Sequence, residues 1–181
     1  MGKIVIISGP SGSGKTTVCK ILKQHSNVEQ SISVTTRSPR KNEKDGESYH
    51  FVSNARFKEM IKNGEFAEFA EYCGYYYGTL LSALEDAIKR GIFYILEIDV
   101  QGAMQIKEKF PDAIMIFLLP PNRLTLSQRL ISRNTDTEQD LANRLKIAEK
   151  ELEYKDKYDY CVVNDDLDVT VNTIRKILNL L

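Results

Sequence analysis

The stretch GPSGSGKT, Gly9 to Thr16, constrains this chain more than any other. It follows a β-branched run, KIVII, and opens a stretch, KTTVCKILKQ, with Val18, Ile21 and Leu22 on one helical face. Two glycines with four residues between them, then Lys and Thr, let backbone N–H groups turn inward around a phosphate. The helix that begins at Lys15 points its positive end at the same place. Lys15 reaches the β- and γ-phosphates of a bound nucleotide, and the Thr16 hydroxyl suits Mg²⁺. The reading is a strand, a phosphate loop and a helix that bind a nucleoside triphosphate. The motif does not say what else is bound.

The rest of the chain repeats the strand–helix rhythm. FYILEIDV, AIMIFLLPP and YDYCVVND read as buried strands. VQGAMQIKEKF, NRLTLSQRLISR, TEQDLANRLKIAEKELEY and DVTVNTIRKILNLL read as helices between and after them. That alternation predicts an α/β domain, a parallel sheet with helices on both faces. From about Ser33 to about Arg90 the rhythm breaks. YHFV and EFAEFAEY read as short or alternating strands, and SNARFKEMIKNG as a helix capped by Ser53 or Asn54. This middle part reads as a small α+β insertion.

Charge narrows the partners. Lys plus Arg is 25 and Asp plus Glu is 25, so sequence-independent nucleic-acid binding lacks its usual cationic excess. Any cationic site is a local cluster. The 3 cysteines, Cys19, Cys73 and Cys161, have neither metal-ligand nor disulfide spacing, which suits a reducing cytoplasm. No signal peptide is read at the start, and no apolar run is long enough for a bilayer.

Three further stretches carry candidate chemistry. SVTTRSPRK, Ser33 to Lys41, holds Arg37 and Arg40 among four hydroxyls, and reads either as a wet loop or as an anion site. LEIDVQG, Leu96 to Gly102, places Glu97 and Asp99 at the end of a strand, where alternation puts them on one face; they read either as an acidic turn or as carboxylates of which one assists Mg²⁺. Asp99 to Gly102 also fits the D-x-x-G of small GTPases, but no guanine-reading Asn-Lys-x-Asp element follows a later strand. Arg129 and Arg133 lie four apart on one helical face, and Arg144 flanks the apolar stripe of Leu141, Leu145, Ala148 and Leu152. These arginines read as a solvated basic face or as a clamp over transferring phosphates.

With SGPSGSGKTT, SVTTRSPR…DGESYHF, GEFAEFAEYCGYYYGT, EIDVQG and VVNDD together, the chain resembles guanylate kinases over essentially its full length. The resemblance implies a three-layer α/β P-loop kinase with a central parallel sheet. Residues 1–33 and 90–181 would form the core, 34–89 a small α+β GMP-binding insertion, and 129–148 a helical lid. It implies phosphoryl transfer from ATP to GMP, and to dGMP, with Mg²⁺, in purine nucleotide metabolism and GMP recycling. Gly9, Pro10, Ser11, Gly12, Ser13, Gly14, Lys15, Thr16, Thr17 and Asn164 would bind ATP, and Thr16 would contact the metal. Lys15, Arg133, Arg144 and Arg129 would be catalytic.

The resemblance also assigns the acceptor site. Arg37 and Arg40 would grip the GMP phosphate with Tyr49 and Tyr77. A dianionic phosphate suits guanidinium forks with neutral hydroxyl donors. Glu68 and Asp99 would accept from guanine N1–H and N2–H₂, with Ser33 and Thr79 supplying hydroxyls. By alternation alone, Glu68 in EFAEFAEY reads as an exposed strand residue. Asn42 and Asn134 stand where the family has frequent glycines, and Glu97 where Asp is also common. The alternative is a non-catalytic relative of the scaffold-protein kind, which would have a damaged phosphate loop. Small-molecule substrates, no nucleic acid, no membrane and a cytoplasmic location are the expected setting. Monomer and homo-oligomer stay open.

Overall fold

The computed structural model describes residues 2–131 and 138–180, without side chains for 130, 131 and 138–144. Its order is β1 (Lys3–Ser8), α1 (Lys15–Leu22), β2 (Val28–Gln30), β3 (Val34–Thr35), β4 (His50–Phe51), α2 (Asn54–Lys62), β5 (Phe66–Tyr72), β6 (Tyr75–Leu80) and α3 (Leu81–Arg90). Then follow β7 (Phe93–Glu97), α4 (Val100–Lys109), β8 (Ile114–Leu119), α5 (Arg123–Ile131), α6 (Glu138–Leu152), β9 (Tyr160–Val163) and α7 (Leu167–Ile177).

The larger sheet has the order β2-β7-β1-β8-β9, a central parallel sheet with helices on both sides. Its inner strands are apolar because both faces are covered. Five of the six residues of β1 are buried, and Ile95, Leu96, Met115, Ile116, Phe117 and Leu118 are fully so. The smaller sheet has the order β4-β3-β6-β5. β3 pairs parallel with β4, while β6 is antiparallel to β3 and to β5. Val34, Phe57, Met60 and Phe66 form the core beneath it, with the Phe57 ring stacked on Phe66 at 4.5 Å and on Tyr76 at 5.4 Å.

The strands and helices read from periodicity are present. Ser53 is the cap of α2, accepting from the Arg56 N–H at 3.1 Å. Asp166 caps α7 the same way through Val169 at 2.9 Å. Four elements go beyond the sequence reading: β2, β3, β6 and α3. The strand in LEIDV stops at Glu97, so strand alternation does not carry through to Asp99.

Contacts divide the chain into two compact units. One gathers the first half of β1 with Glu29–Leu96 and Gln101–Ala113. The other gathers Ile6–Val28, Glu97–Val100 and the described residues from Ile114 onward. Among the described residues no helix is long and apolar enough to cross a membrane.

Candidate active site

In the second unit, β1 delivers the chain into the glycine loop. Ser8, buried at its end, donates through Oγ to the Ile98 carbonyl at 2.8 Å. Gly9 has φ 146°, and a Cβ there would collide with the Leu118 carbonyl oxygen. Gly14, at φ 92°, precedes α1 and lies against the Asn164 amide. Only glycine meets both demands at once. The Ser13 N–H donates to the Pro10 carbonyl at 3.0 Å, which closes the loop. The Ser13 hydroxyl is fully buried with no hydrogen-bond partner among the described residues. An orphaned donor inside a loop of inward amides suits an anion's oxygen.

The charged groups sit around this loop. Lys15 folds back so that Nζ donates to the Gly9 carbonyl at 2.5 Å and to the Pro10 carbonyl at 3.2 Å. The Thr16 hydroxyl donates to Glu97 Oε1 at 2.6 Å. Asn164 is buried behind the loop, where Nδ2 donates to the Ser13 carbonyl at 2.7 Å. Arg129 reaches the Gly12 and Asn164 carbonyls through long contacts of 3.4 Å. Arg133 lies outside the described residues, and Arg144 is described only as backbone of α6.

Two buried groups here were not read from the sequence. Glu151 of α6 is 6% exposed, and its Oε2 has no hydrogen-bond partner among the described residues. Burial pushes its carboxyl up to about 7, opposed by the Lys15 charge, reinforced by Asp99 and opposed again by the Ser11 backbone N–H. Tyr158 is buried nearby and pushed well above the ordinary phenol value by burial, with Ser8 opposing. A signal for Glu151 existed: it lies three residues after Ala148 and next to Leu152, within the apolar stripe of its helix.

In the first unit, the segment around Arg37 is built as a charged cradle. The Arg37 Nη2 donates to Glu43 Oε1 at 2.8 Å, and the Arg40 backbone N–H donates to Glu43 Oε2 at 2.8 Å. The Arg37 guanidinium lies 5.4 Å from the centre of the Tyr49 ring and 5.9 Å from that of Phe51. Tyr49 and Tyr77 meet edge to face at 6.0 Å, and the Tyr77 phenol, with Glu43, favours the charged guanidinium of Arg37. Three of the residues assigned to the acceptor phosphate thus share one place, and the exposed Arg40 side chain borders it. Glu43 was not read from the sequence, because a lone carboxylate in the run RKNEKDGE carries no signal.

Glu68 and Thr79 are cross-strand partners in the β5–β6 hairpin. The Thr79 hydroxyl donates to Glu68 Oε1 at 2.6 Å. Glu68 is 3% exposed and Thr79 fully buried, so Glu68 is not the solvent-facing residue that charge alternation suggests. Ser33 is half-buried at the start of the same sheet and accepts from the His50 N–H at 2.9 Å through its carbonyl. Asp99 belongs to the second unit, where its charge bears on Glu151 and Tyr158.

A strand, glycine loop and helix opening on a lysine, set in a parallel sheet with helices on both sides, define a P-loop nucleotide-binding protein. The family model for guanylate kinase matches residues 1–180. A guanylate kinase of Desulfitobacterium hafniense (strain Y51) is 46% identical, with 98% of this chain and 89% of that protein covered. One of Clostridium perfringens (strain 13 / Type A) is 47% identical, with 98% and 82% covered. The crystal structure of guanylate kinase from Anaplasma phagocytophilum superposes with a TM-score of 0.83 at 36% identity, covering 99% of this chain and 85% of that one. This chain belongs to the guanylate kinase family.

Proposed function

We infer that the chain transfers the γ-phosphoryl group of ATP to GMP, giving ADP and GDP. The observation that carries the acceptor is the Glu68–Thr79 pair: a buried carboxylate aimed by a hydroxyl is built to accept from an N–H edge. Guanine offers such an edge in N1–H and N2–H₂. Arg37, with Tyr49, Tyr77 and Arg40, is the reading for the acceptor phosphate; Asp99 is a second acceptor for the base, with Ser33 and Thr79 supplying hydroxyls. The same reading extends to dGMP, which presents the same base and phosphate.

The donor side rests on residues 9–17. The loop amides and the Ser13 hydroxyl hold the phosphates, and Asn164 braces the loop. Lys15 leaves the Gly9 and Pro10 carbonyls to pair with the phosphate oxygens. Thr16 and Glu97 are hydroxyl and carboxylate oxygens 2.6 Å apart, the donor type that Mg²⁺ takes alongside phosphate and water. When bound there, Mg²⁺ neutralises charge on the β- and γ-phosphates. Arg133 and Arg144, with Arg129, complete the clamp by the family assignment.

The reaction needs no general base. A GMP phosphate has a second pKa of about 6, so at neutral pH it is mostly dianionic. One of its oxygens bonds to the γ-phosphorus while the bond from that phosphorus to the ADP oxygen breaks. What the chain supplies is alignment and positive charge. The two histidines of the chain, His25 and His50, take no part in this scheme. The small soluble substrates fit a cytoplasmic location in nucleotide metabolism.

A coupled ADP-release assay with Mg·ATP tests the reading. ADP should form with GMP present and not without it. Equal ADP release in the two conditions would reject phosphoryl transfer to GMP.

A further inference from the structure

Gly102 stands in the first turn of α4 with an ordinary helical backbone; it is not among the positive-φ glycines. Nothing in its conformation calls for glycine. Alanine at such a position would favour the helix. The space beside it does call for glycine. A Cβ there would overlap Oε2 of Glu68, come 3.0 Å from its Cδ and 3.6 Å from its Cγ. The other oxygen, Oε1, already accepts the Thr79 hydroxyl.

We propose that Gly102 is a positioning residue for acceptor-base selection: its missing side chain lets α4 seat the Glu68 carboxylate in the orientation that meets guanine. The inference rests on the reading of Glu68 as the guanine acceptor. An ionised carboxylate has about four lone-pair sites, enough to take the Thr79 hydroxyl and further donors at once. Two donors on one purine edge are met together only if the carboxylate plane is fixed. Thr79 fixes it at Oε1, and the bare backbone of Gly102 allows Oε2 its place. A methyl at 102 would turn the carboxylate and leave one guanine donor unmatched.

A double-mutant cycle separates this from a merely structural role. G102A, E68A and E68A/G102A are compared by kcat/KM for GMP, KM for ATP, the GMP-to-IMP preference and the thermal midpoint. IMP lacks the N2 amine, so its use depends less on the full carboxylate edge. G102A should lose about tenfold or more in kcat/KM for GMP and most of its preference for GMP over IMP, with KM for ATP little changed. On the E68A background it should cost nothing further. If G102A lowers the thermal midpoint, E68A/G102A should recover it, because the clash is gone. A G102A loss that repeats in full on E68A, a midpoint that the double variant does not recover, or G102A with unchanged GMP use would each overturn the proposal. E68A with ordinary GMP kinetics would overturn the reading of Glu68 itself, and the inference with it.

Discussion

Arg37 and Glu43 form an ion pair at 2.8 Å with both side chains largely buried, at 11% and 19% exposure. The carboxylate holds the guanidinium and, through the Arg40 N–H, the loop that carries it. Removing one partner strands the other charge in a partly dry site. Arg37→Ala should therefore raise KM for GMP strongly and also cost about 2 kcal/mol of stability. Adding Glu43→Ala should restore the stability and leave GMP binding impaired. Urea unfolding beside steady-state kinetics reads both. Recovery of GMP binding in the double variant would contradict the role given to Arg37.

Glu151 makes stability depend on pH. Its folded carboxyl is raised to about 7, above its unfolded value of 4.5. The folded state therefore binds the proton more tightly than the unfolded chain. Any stability linked to it is fully present below the unfolded value and is lost as pH rises through about 7. The groups facing it are Lys15, the Ser11 N–H, Asp99 and Tyr158. Glu151→Gln has no such penalty, so its stability relative to the parent chain should grow from pH 5 to pH 8. The shift corresponds to on the order of 3 kcal/mol. Thermal midpoints of both proteins across that range measure it, and a pH-independent difference would contradict the assignment.

The Thr16–Glu97 contact predicts a metal phenotype. Thr16→Val keeps the shape and removes the hydroxyl. The Mg²⁺ concentration for half-maximal activity should rise by roughly 10- to 100-fold, the scale of lost ligand support. An unchanged Mg²⁺ titration with unchanged kcat would place the metal elsewhere.

The donor side was legible because its signals are local. GPSGSGKT, the β-branched run before it and the apolar face after it are all short-range patterns, and β1, the loop and α1 follow from them. The acceptor side was less so. Periodicity alone made Glu68 an exposed strand residue, because its burial comes from Thr79 across the hairpin and from Gly102 on a distant helix. β3 has two residues and β2 three, too few to show a period. α3 did leave a trace, with Leu81, Leu84 and Ile88 at helical spacing before the αL Gly91. Glu43 left none, because only the folded loop brings it to Arg37.

The central claim is that the acceptor is chosen by a buried carboxylate reading guanine donors. AMP presents a different edge and would leave the acceptor sites of Glu68 meant for the base unmatched in a desolvated site, a mismatch that such sites reject by roughly 10⁴-fold. The direct measurement is kcat/KM for GMP and for AMP under saturating Mg·ATP in the same coupled assay. A preference for GMP on that scale, collapsing in Glu68→Gln while KM for ATP holds, is the predicted result. Comparable kcat/KM for the two monophosphates in the parent chain would contradict the account.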